Sequence, residues 1–182
     1  MNNDFLINLI NEFNSNEQLT PNLIPDIPLY MDQITTIFND KLSCYKRSDS
    51  DKLLTKTMIN NYTKDGLIPP PEKKKYSKQH ILTLISIYHL KGILSISDIK
   101  FLLSSLDKEK YEEIYSALLL LEKSEGQKVS RDYEVLEEII SELSEKDEKK
   151  AMLITALGLA VQANYRKLLA EKIIDLIKDD NE

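Results

Sequence analysis

Five polar side chains of only three types lie close together between positions 56 and 64. With 3.6 residues per helical turn, a helix places all of them on one face: Lys56, Thr57, Asn60, Asn61 and Lys64. The opposite face carries Met58, Ile59 and Tyr62. Lysine neutralises a phosphate or bonds guanine, and asparagine can bond an adenine edge through both amide atoms. This face therefore has the chemistry of groove recognition, although many amphipathic surface helices also carry polar faces.

A lysine triplet, Lys73, Lys74 and Lys75, follows in a loop that three consecutive prolines stiffen. Residues 41–80 contain ten Lys or Arg and four Asp or Glu, so they carry +6, and the other 142 residues carry −12. Anionic partners are steered by such local potential more than by net charge. A charge run alone is commonly a solvated loop. Together with the polar helix face, the triplet favours contact with a nucleic-acid backbone.

The sequence offers little for catalysis. His80 and His89 are nine residues apart on one predicted helix, on opposite sides of it, and no cluster of Cys or Asp supplies further metal ligands. Cys44 is the single cysteine, and a small buried side chain is its simplest interpretation. Neither a glycine-rich phosphate loop nor a nucleophile elbow is present. We expect no enzyme, no catalytic residue, no metal site and no cofactor.

Local signals predict that the elements around these residues are helices. Thr55 is a good N-cap, and Gly66 stands where a helix closes in the left-handed conformation. The segment Glu72–Tyr76 between the prolines and the next helix predicts a loop or small hairpin. Apolar spacing predicts neighbouring helices over Asp4–Phe13, Tyr30–Leu42, Ser77–Gly92 and Ser95–Leu103.

Beyond residue 105 the chain predicts three acidic amphipathic helices: Lys108–Glu125, Asp132–Leu143 and Asp147–Asp179. The inward residues of the first two include Leu118, Leu121, Ile139 and Leu143. The amphipathic residues of the last are Leu168, Leu169, Ile173, Leu176 and Ile177. Within the third helix, Ala151–Ala163 is apolar, with Gly158 and several alanines that permit close helix approach. We interpret it as the central core helix of a carboxy-terminal bundle, and a dimer seam is the alternative, because apolar periodicity marks burial without naming the partner.

The sequence also predicts the cellular compartment and whether the chain contacts a membrane. The longest apolar stretch has 13 residues, whereas a membrane-crossing helix needs about 20. Met1–Glu12 carries acids in place of the basic patch of a secretory signal, and one cysteine cannot form an internal disulfide. We expect a cytoplasmic protein without membrane contact.

One stretch resembles the DNA-binding half of the bacterial MerR regulators. It comprises Thr57–Pro71, the pair Tyr76-Ser77, the apolar helix to Gly92 and the segment Ser95–Leu103. The resemblance implies a helix-turn-helix, a wing and a helix pair packed behind them. Asn60 stands where that family usually has arginine, and Asn61 replaces the first of its paired aromatics. The link before the polar helix is also several residues longer than usual.

Residues 25–105 also resemble a bacterial family known as domain of unknown function eighteen thirty-six. Two runs carry that resemblance, Leu29–Gln33 and Leu54–Lys64. It implies a MerR-like module. We therefore predict a mainly α fold, with an amino-terminal helix and linker (1–24), a MerR-like winged helix-turn-helix domain (25–105) and a carboxy-terminal helical bundle (106–182).

The functional prediction is a sequence-specific DNA-binding protein of the transcription-regulator type. Its DNA-contacting residues would be Lys56, Thr57, Asn60, Asn61, Lys64, Lys73, Lys74 and Lys75. Because one short helix spans few base pairs, we expect a homodimer on double-stranded DNA. The alternative is a non-catalytic protein–protein interaction module on the same fold, which would expose a large apolar patch on the carboxy-terminal helices. An effector, if one is sensed, would be a small apolar ligand in the helical bundle or a protein partner.

Overall fold

The computed structural model describes residues 4–15, 18–145 and 147–180, which are mainly α-helical. The helices are α1 (Asp4–Asn14), α2 (Met31–Lys41), α3 (Lys56–Lys64), α4 (Lys78–Leu90), α5 (Ile96–Ser105), α6 (Tyr111–Leu143) and α7 (Glu148–Asp179). Two short strands, β1 (Leu29–Tyr30) and β2 (Lys75–Tyr76), pair antiparallel. Among the described helices, none combines the length and the apolar character that crossing a bilayer requires.

The described residues divide into two compact units. The central unit comprises residues 18–120 and contains both strands. The terminal unit joins residues 4–15 to residues 121–145 and 147–180. Helix α6 supplies its first turns to the central unit and its remaining turns to the terminal unit.

Helix α4 is the centre of the central unit. Its residues from His80 to Ile87 are all buried, because a helix that is apolar around its whole circumference must be surrounded by other elements. The neighbouring helices contribute side chains that are fully buried: Ile34 and Phe38 from α2, Ile59 from α3 and Ile99 from α5. This shared core holds α2 and α3 in place for the site described below.

The first turns of α6 close the central unit with hydrogen bonds from buried side chains. The Tyr111 hydroxyl donates to Ser86 Oγ at 3.1 Å, and the Tyr115 hydroxyl donates to the Leu19 carbonyl at 3.0 Å. Burial raises the pKa of Tyr111. Each phenol therefore finds the partner that a buried hydroxyl requires.

The terminal unit has a small core. Tyr133 and Ile140 of α6 are buried in it, with Ile10 of α1 and Ile154 of α7 packed partly against them. At one end of α1, Asn14 Nδ2 donates to the Gly126 carbonyl at 3.0 Å and to Ser130 Oγ at 3.2 Å. Helix α1 is thus fastened to a segment more than a hundred residues away in the sequence.

The structure corrects the predicted break between Lys108–Glu125 and Asp132–Leu143. A single helix of 33 residues runs through both segments, although Gly126 in its interior costs about 1 kcal/mol relative to alanine. A Cβ atom at Gly126 would collide with the Asn14 side chain. The glycine therefore marks the close approach of α1 and does not end the helix.

The interpretation of Ala151–Ala163 as a central core helix is also wrong. Leu153, Leu157 and Val161 are each more than half exposed. Other residues predicted to face inward or to form the amphipathic stripe are also exposed, by 39% to 64%: Leu118, Leu121, Ile139, Leu143, Leu168, Leu169, Ile173, Leu176 and Ile177. The apolar pattern is real, but one copy of the chain has too few elements to cover it.

Candidate nucleic-acid interface

Helix α3 carries the predicted polar face, and its two ends form as the local sequence indicates. The Thr55 hydroxyl oxygen accepts the Met58 backbone N–H at 3.1 Å, which caps the first turn. Gly66 has φ of 69°. Around it the N–H of Leu67 donates to the Tyr62 carbonyl at 2.9 Å and that of Gly66 to the Thr63 carbonyl at 3.1 Å. This Schellman ending fixes the length of the helix.

The two faces of α3 separate as predicted. Ile59 is fully buried, and Met58 and Tyr62 are partly buried. Burial raises the pKa of the Tyr62 phenol. The polar face consists of five exposed residues: Lys56, Thr57, Asn60, Asn61 and Lys64. These side chains are held by the rigid helix on which they stand and are open to a partner.

Lys56, at the start of the polar face, forms an ion pair with Asp32 in the first turn of α2. Both side chains remain largely exposed, at 61% for Lys56 and 77% for Asp32. Sequence analysis did not identify Asp32, because the two residues are 24 positions apart and only the packing of α2 on α3 brings them together. A carboxylate therefore stands at one edge of the polar face.

The other end of α3 gains a lysine from α5. Lys100 Nζ donates to the Asp65 carbonyl at 2.7 Å, and its Nζ would lie 3.2 Å from a Cβ at Gly66. A cation on the carbonyl end of a helix is favourable, because the helix dipole is negative there. Lys100 thus joins Lys64 at this end of the polar face, and sequence analysis missed it.

The predicted small hairpin forms at residues 72–76, with lysines at the two central positions of its turn. Lys73 and Lys74 have φ of 48° and 64°, and the Lys75 N–H donates to the Glu72 carbonyl at 2.8 Å. Two successive left-handed residues define a type I′ turn, in which asparagine and glycine are strongly preferred. Both lysines, like Lys75, are exposed.

The hairpin is tied to α2 through β1. Lys75 pairs with Tyr30, and Lys75 Nζ lies 5.1 Å from the centre of the Tyr30 ring, a cation–π distance. Tyr30 is also the residue that caps α2, two positions before Asp32. The hairpin lysines and the first turn of α3 are thus both linked to the same end of α2.

His80 secures the base of the hairpin. Its Nδ1 accepts the Ser77 backbone N–H at 3.1 Å, so the ring proton lies on Nε2, which donates to the Pro69 carbonyl at 3.2 Å. The Tyr76 ring stands edge-on to the imidazole at 5.6 Å. Burial lowers the pKa of His80. The histidine is therefore a neutral structural link between the prolines and α4.

The geometry does not suggest a metal centre. Within the described residues, no group of three or more His, Cys, Asp or Glu side chains is placed to hold a metal ion. What the central unit presents is a polar helix face with exposed lysines, and a lysine-bearing turn anchored to the helix that packs beside it. Such an arrangement can bind a polyanion through lysines and hydrogen-bond through asparagine amides.

Comparisons with known proteins identify a family for this part of the chain. No curated protein and no solved structure matches the chain. A match to the family described as Domain of unknown function (DUF1836) covers residues 19–118. The matched range is more than half of the chain, and it contains α2, α3 and the hairpin. The chain therefore belongs to the DUF1836 family.

Proposed function

We propose that this protein is a homodimeric, sequence-specific DNA-binding protein of the transcription-regulator type. In this proposal α2, α3 and the hairpin act as a MerR-like helix-turn-helix with a wing. The observation that carries it is the exposed face of α3, which contains lysine, asparagine and threonine and no acidic side chain. Glutamate is common on α6, and a helix face that contacted only solvent could carry it equally well.

Individual roles follow from the chemistry of each side chain. Asn60 lies near the middle of the face, with Lys56 and Lys64 one turn away on either side. Its amide suits bidentate bonding to adenine, and the flanking lysines suit phosphate or guanine. Thr57 and Asn61 complete the set as shorter hydrogen-bonding groups.

The lysine turn supports the same proposal. A left-handed residue with a Cβ costs roughly 1–2 kcal/mol, and asparagine or glycine would relieve much of that strain. Two lysines nevertheless occupy these positions, and strain of this kind is found most often where side chains serve a function. Contact with the phosphate backbone beside the groove would account for them.

The exposed apolar residues of α7 support the homodimer. Seven of them recur at every fourth position and form an apolar ridge, which winds around the helix because each step of four residues advances it by about 40°: Leu153, Leu157, Val161, Tyr165, Leu169, Ile173 and Ile177. Val161 and Tyr165, near its middle, are each 70% exposed. Ridges of this spacing pack into one another when two helices cross at about −50°. In such a crossing both helices contribute a row of residues spaced by four. A second copy of the chain carries the same row and is therefore a suitable partner.

The apolar ridge is also what the alternative function requires. A non-catalytic interaction module on this fold would bind another protein through the ridge and would leave the polar face of α3 unused. The two proposals differ in what they predict for DNA. Only the first predicts that the purified protein retains a consistent set of sequences from random DNA.

The decisive experiment is therefore selection of bound sequences from a random double-stranded DNA pool, followed by affinity measurements at several salt concentrations. The variant Lys73→Asn with Lys74→Gly removes two charges and suits the turn. It should lower the salt slope of DNA binding by about 1.8, or about 0.9 for each lost phosphate contact. The matched control, Lys108→Gln with Lys110→Gln, removes two exposed lysines outside the interface and should leave the slope unchanged. A pool with no enriched sequence would exclude specific DNA binding.

A further inference from the structure

The terminal unit contains an apolar cavity of about 180 Å³ that is partly open to solvent, since Ile139, Leu143 and Leu159 in its walls are exposed. All three of its helices line it, with Ile10 from α1, Val129, Tyr133 and Ile140 from α6, and Ile154 and Leu159 from α7. Its walls are almost entirely hydrocarbon. The cavity lies beside Tyr133 and Ile140, which are the small core of this unit.

The space is a consequence of sparse packing. The buried hydrophobic residues described in the terminal unit are Tyr133, Ile140 and Ile174, far fewer than in the central unit. Gly158 leaves part of the α7 wall without a side chain, and a Cβ there would meet no atom within 4 Å. Atoms lining such a gap lack partners on one side, so an apolar occupant would supply contacts that the chain does not.

The polar groups near the cavity do not suit a charged ligand. The Thr155 hydroxyl donates to the Ala151 carbonyl at 2.9 Å and is thereby satisfied within its own helix. Asp132 is exposed to solvent. Among the lining residues, a carboxylate or phosphate placed inside would find only the Gln162 amide and the Tyr133 hydroxyl as uncharged donors and no cation, so much of its hydration would be lost without compensation, which is costly. The chemistry of the walls therefore selects an uncharged apolar molecule.

We propose that this cavity is a binding site for a small uncharged hydrocarbon-like molecule, about the size of a benzene ring with a short alkyl substituent. An apolar cavity of about 150 Å³ is known to hold benzene, and this one is slightly larger. The outer residues of the apolar ridge, Leu153, Leu157, Val161 and Tyr165, do not line it. The site thus shares no residue with the apolar ridge, and it requires no part of the DNA-binding proposal.

The test uses the full chain labelled at isoleucine δ1 methyl groups, titrated with toluene and observed by NMR. Toluene should cause saturable shifts of Ile10, Ile139, Ile140 and Ile154, while Ile59 and Ile81 of the central unit stay unchanged. Benzoate has a similar ring but carries a charge, and it should cause no saturable shift. Saturable binding of benzoate as tight as that of toluene would overturn the assignment of an uncharged ligand.

Substitutions at Gly158 locate the site. Gly158→Phe places a ring in the cavity and should weaken toluene binding at least tenfold, whereas Gly158→Ala should leave the affinity within about twofold. Gly158→Leu provides a second filled cavity, and an unchanged signal of Ile174, which is buried in the same unit but does not line the cavity, verifies that either variant is folded. Equal toluene binding by the parent and both filled variants would place the ligand elsewhere and defeat the proposal. It would also be defeated if toluene bound the diluted, monomeric protein but not the self-associated protein, because a second copy would then occupy the cavity.

Discussion

Among individual residues, the polar face of α3 depends on neighbours that arrive from elsewhere in the fold. Asp32 pairs with Lys56 at one end, and Lys100 caps the helix near Lys64 at the other. The two ends of the helix therefore differ, because the lysine at the amino end is paired with a carboxylate, whereas the carboxyl end has Lys64 and, on the Asp65 carbonyl, Lys100. Asn60 lies between the two ends, one helical turn from Lys56 and one from Lys64.

Asn60 and Lys64 should differ in what they contribute to binding. We expect Asn60→Ala to cost about 1–3 kcal/mol at one base position while leaving non-specific affinity almost unchanged. Lys64→Ala should weaken binding to all sequences alike, because a phosphate contact carries no base information. Affinities for all single-base variants of a selected site would measure both. Identical base preferences in Asn60→Ala and the parent would show that this asparagine reads no base.

The Asp32 carboxylate should lower the affinity for DNA. Asp32→Asn removes a negative charge from the edge of the polar face and releases Lys56 from its ion pair. Non-specific affinity should rise, and the salt slope should steepen by about 0.9 if Lys56 then reaches a phosphate. Asp40→Asn, an exposed change at the far end of the same helix, is the matched control. An equal response to both substitutions would show that the effect comes from the change in net charge and not from release of Lys56.

His80 predicts a pH dependence of stability. Because burial lowers its pKa in the folded chain, the unfolded chain binds the proton more readily below the ordinary value of about 6.5. The free energy of unfolding should therefore be highest above that pH and decrease as the pH falls towards the folded-state pKa. Urea unfolding between about pH 5 and 7.5 should show a weaker dependence in His80→Gln. A parent curve that was flat across this range would contradict the prediction.

Among the elements, the hairpin has a local sequence that opposes its conformation. Lysines at left-handed positions strain the turn, while β1 and the link through His80 hold it closed. Stability and function thus make opposite demands on the same two residues.

The variant Lys73→Asn with Lys74→Gly should therefore raise the free energy of unfolding by roughly 1 kcal/mol, because both residues suit a type I′ turn. The same variant should bind DNA less tightly. Denaturant unfolding and DNA titration on one preparation measure the two effects together. A variant that was less stable than the parent would show that the lysine side chains support the hairpin through contacts of their own.

For the molecule as a whole, the contrast between the two units is the main feature. The central unit buries α4 from His80 to Ile87, whereas the terminal unit leaves most of the apolar surface of α7 exposed. Exposed apolar area of this extent is unusual for a monomer, and it is the reason that we propose a homodimer.

Association should therefore depend on the apolar ridge. Val161→Glu places a charge near its middle and should weaken self-association at least tenfold in sedimentation experiments. Val161 is exposed in the single chain, so circular dichroism should stay unchanged. Ala163→Glu adds the same charge on another exposed side of α7 and should not affect association. A parent protein that remained monomeric at high micromolar concentration would contradict the homodimer.

Local sequence was sufficient wherever a structure depends on residues a few positions apart. The Thr55 cap, the left-handed Gly66 and the two faces of α3 were predicted correctly, because capping and helical periodicity act over one or two turns. The Ser95 cap of α5, which accepts the Asp98 N–H at 3.1 Å, is another such case. The mainly α character of the chain follows from the same short-range rules.

Tertiary structure alone decided what depends on residues far apart. The close approach of Asn14 accounts for a glycine, Gly126, within the continuous helix α6. Asp32 supplies the carboxylate at the edge of the polar face, and pairing with β1 anchors the hairpin. Which apolar stripes are buried was decided in the same way. Periodicity identifies the apolar side of a helix, but burial depends on whether another element is present to cover it, and for α7 a single chain provides too little.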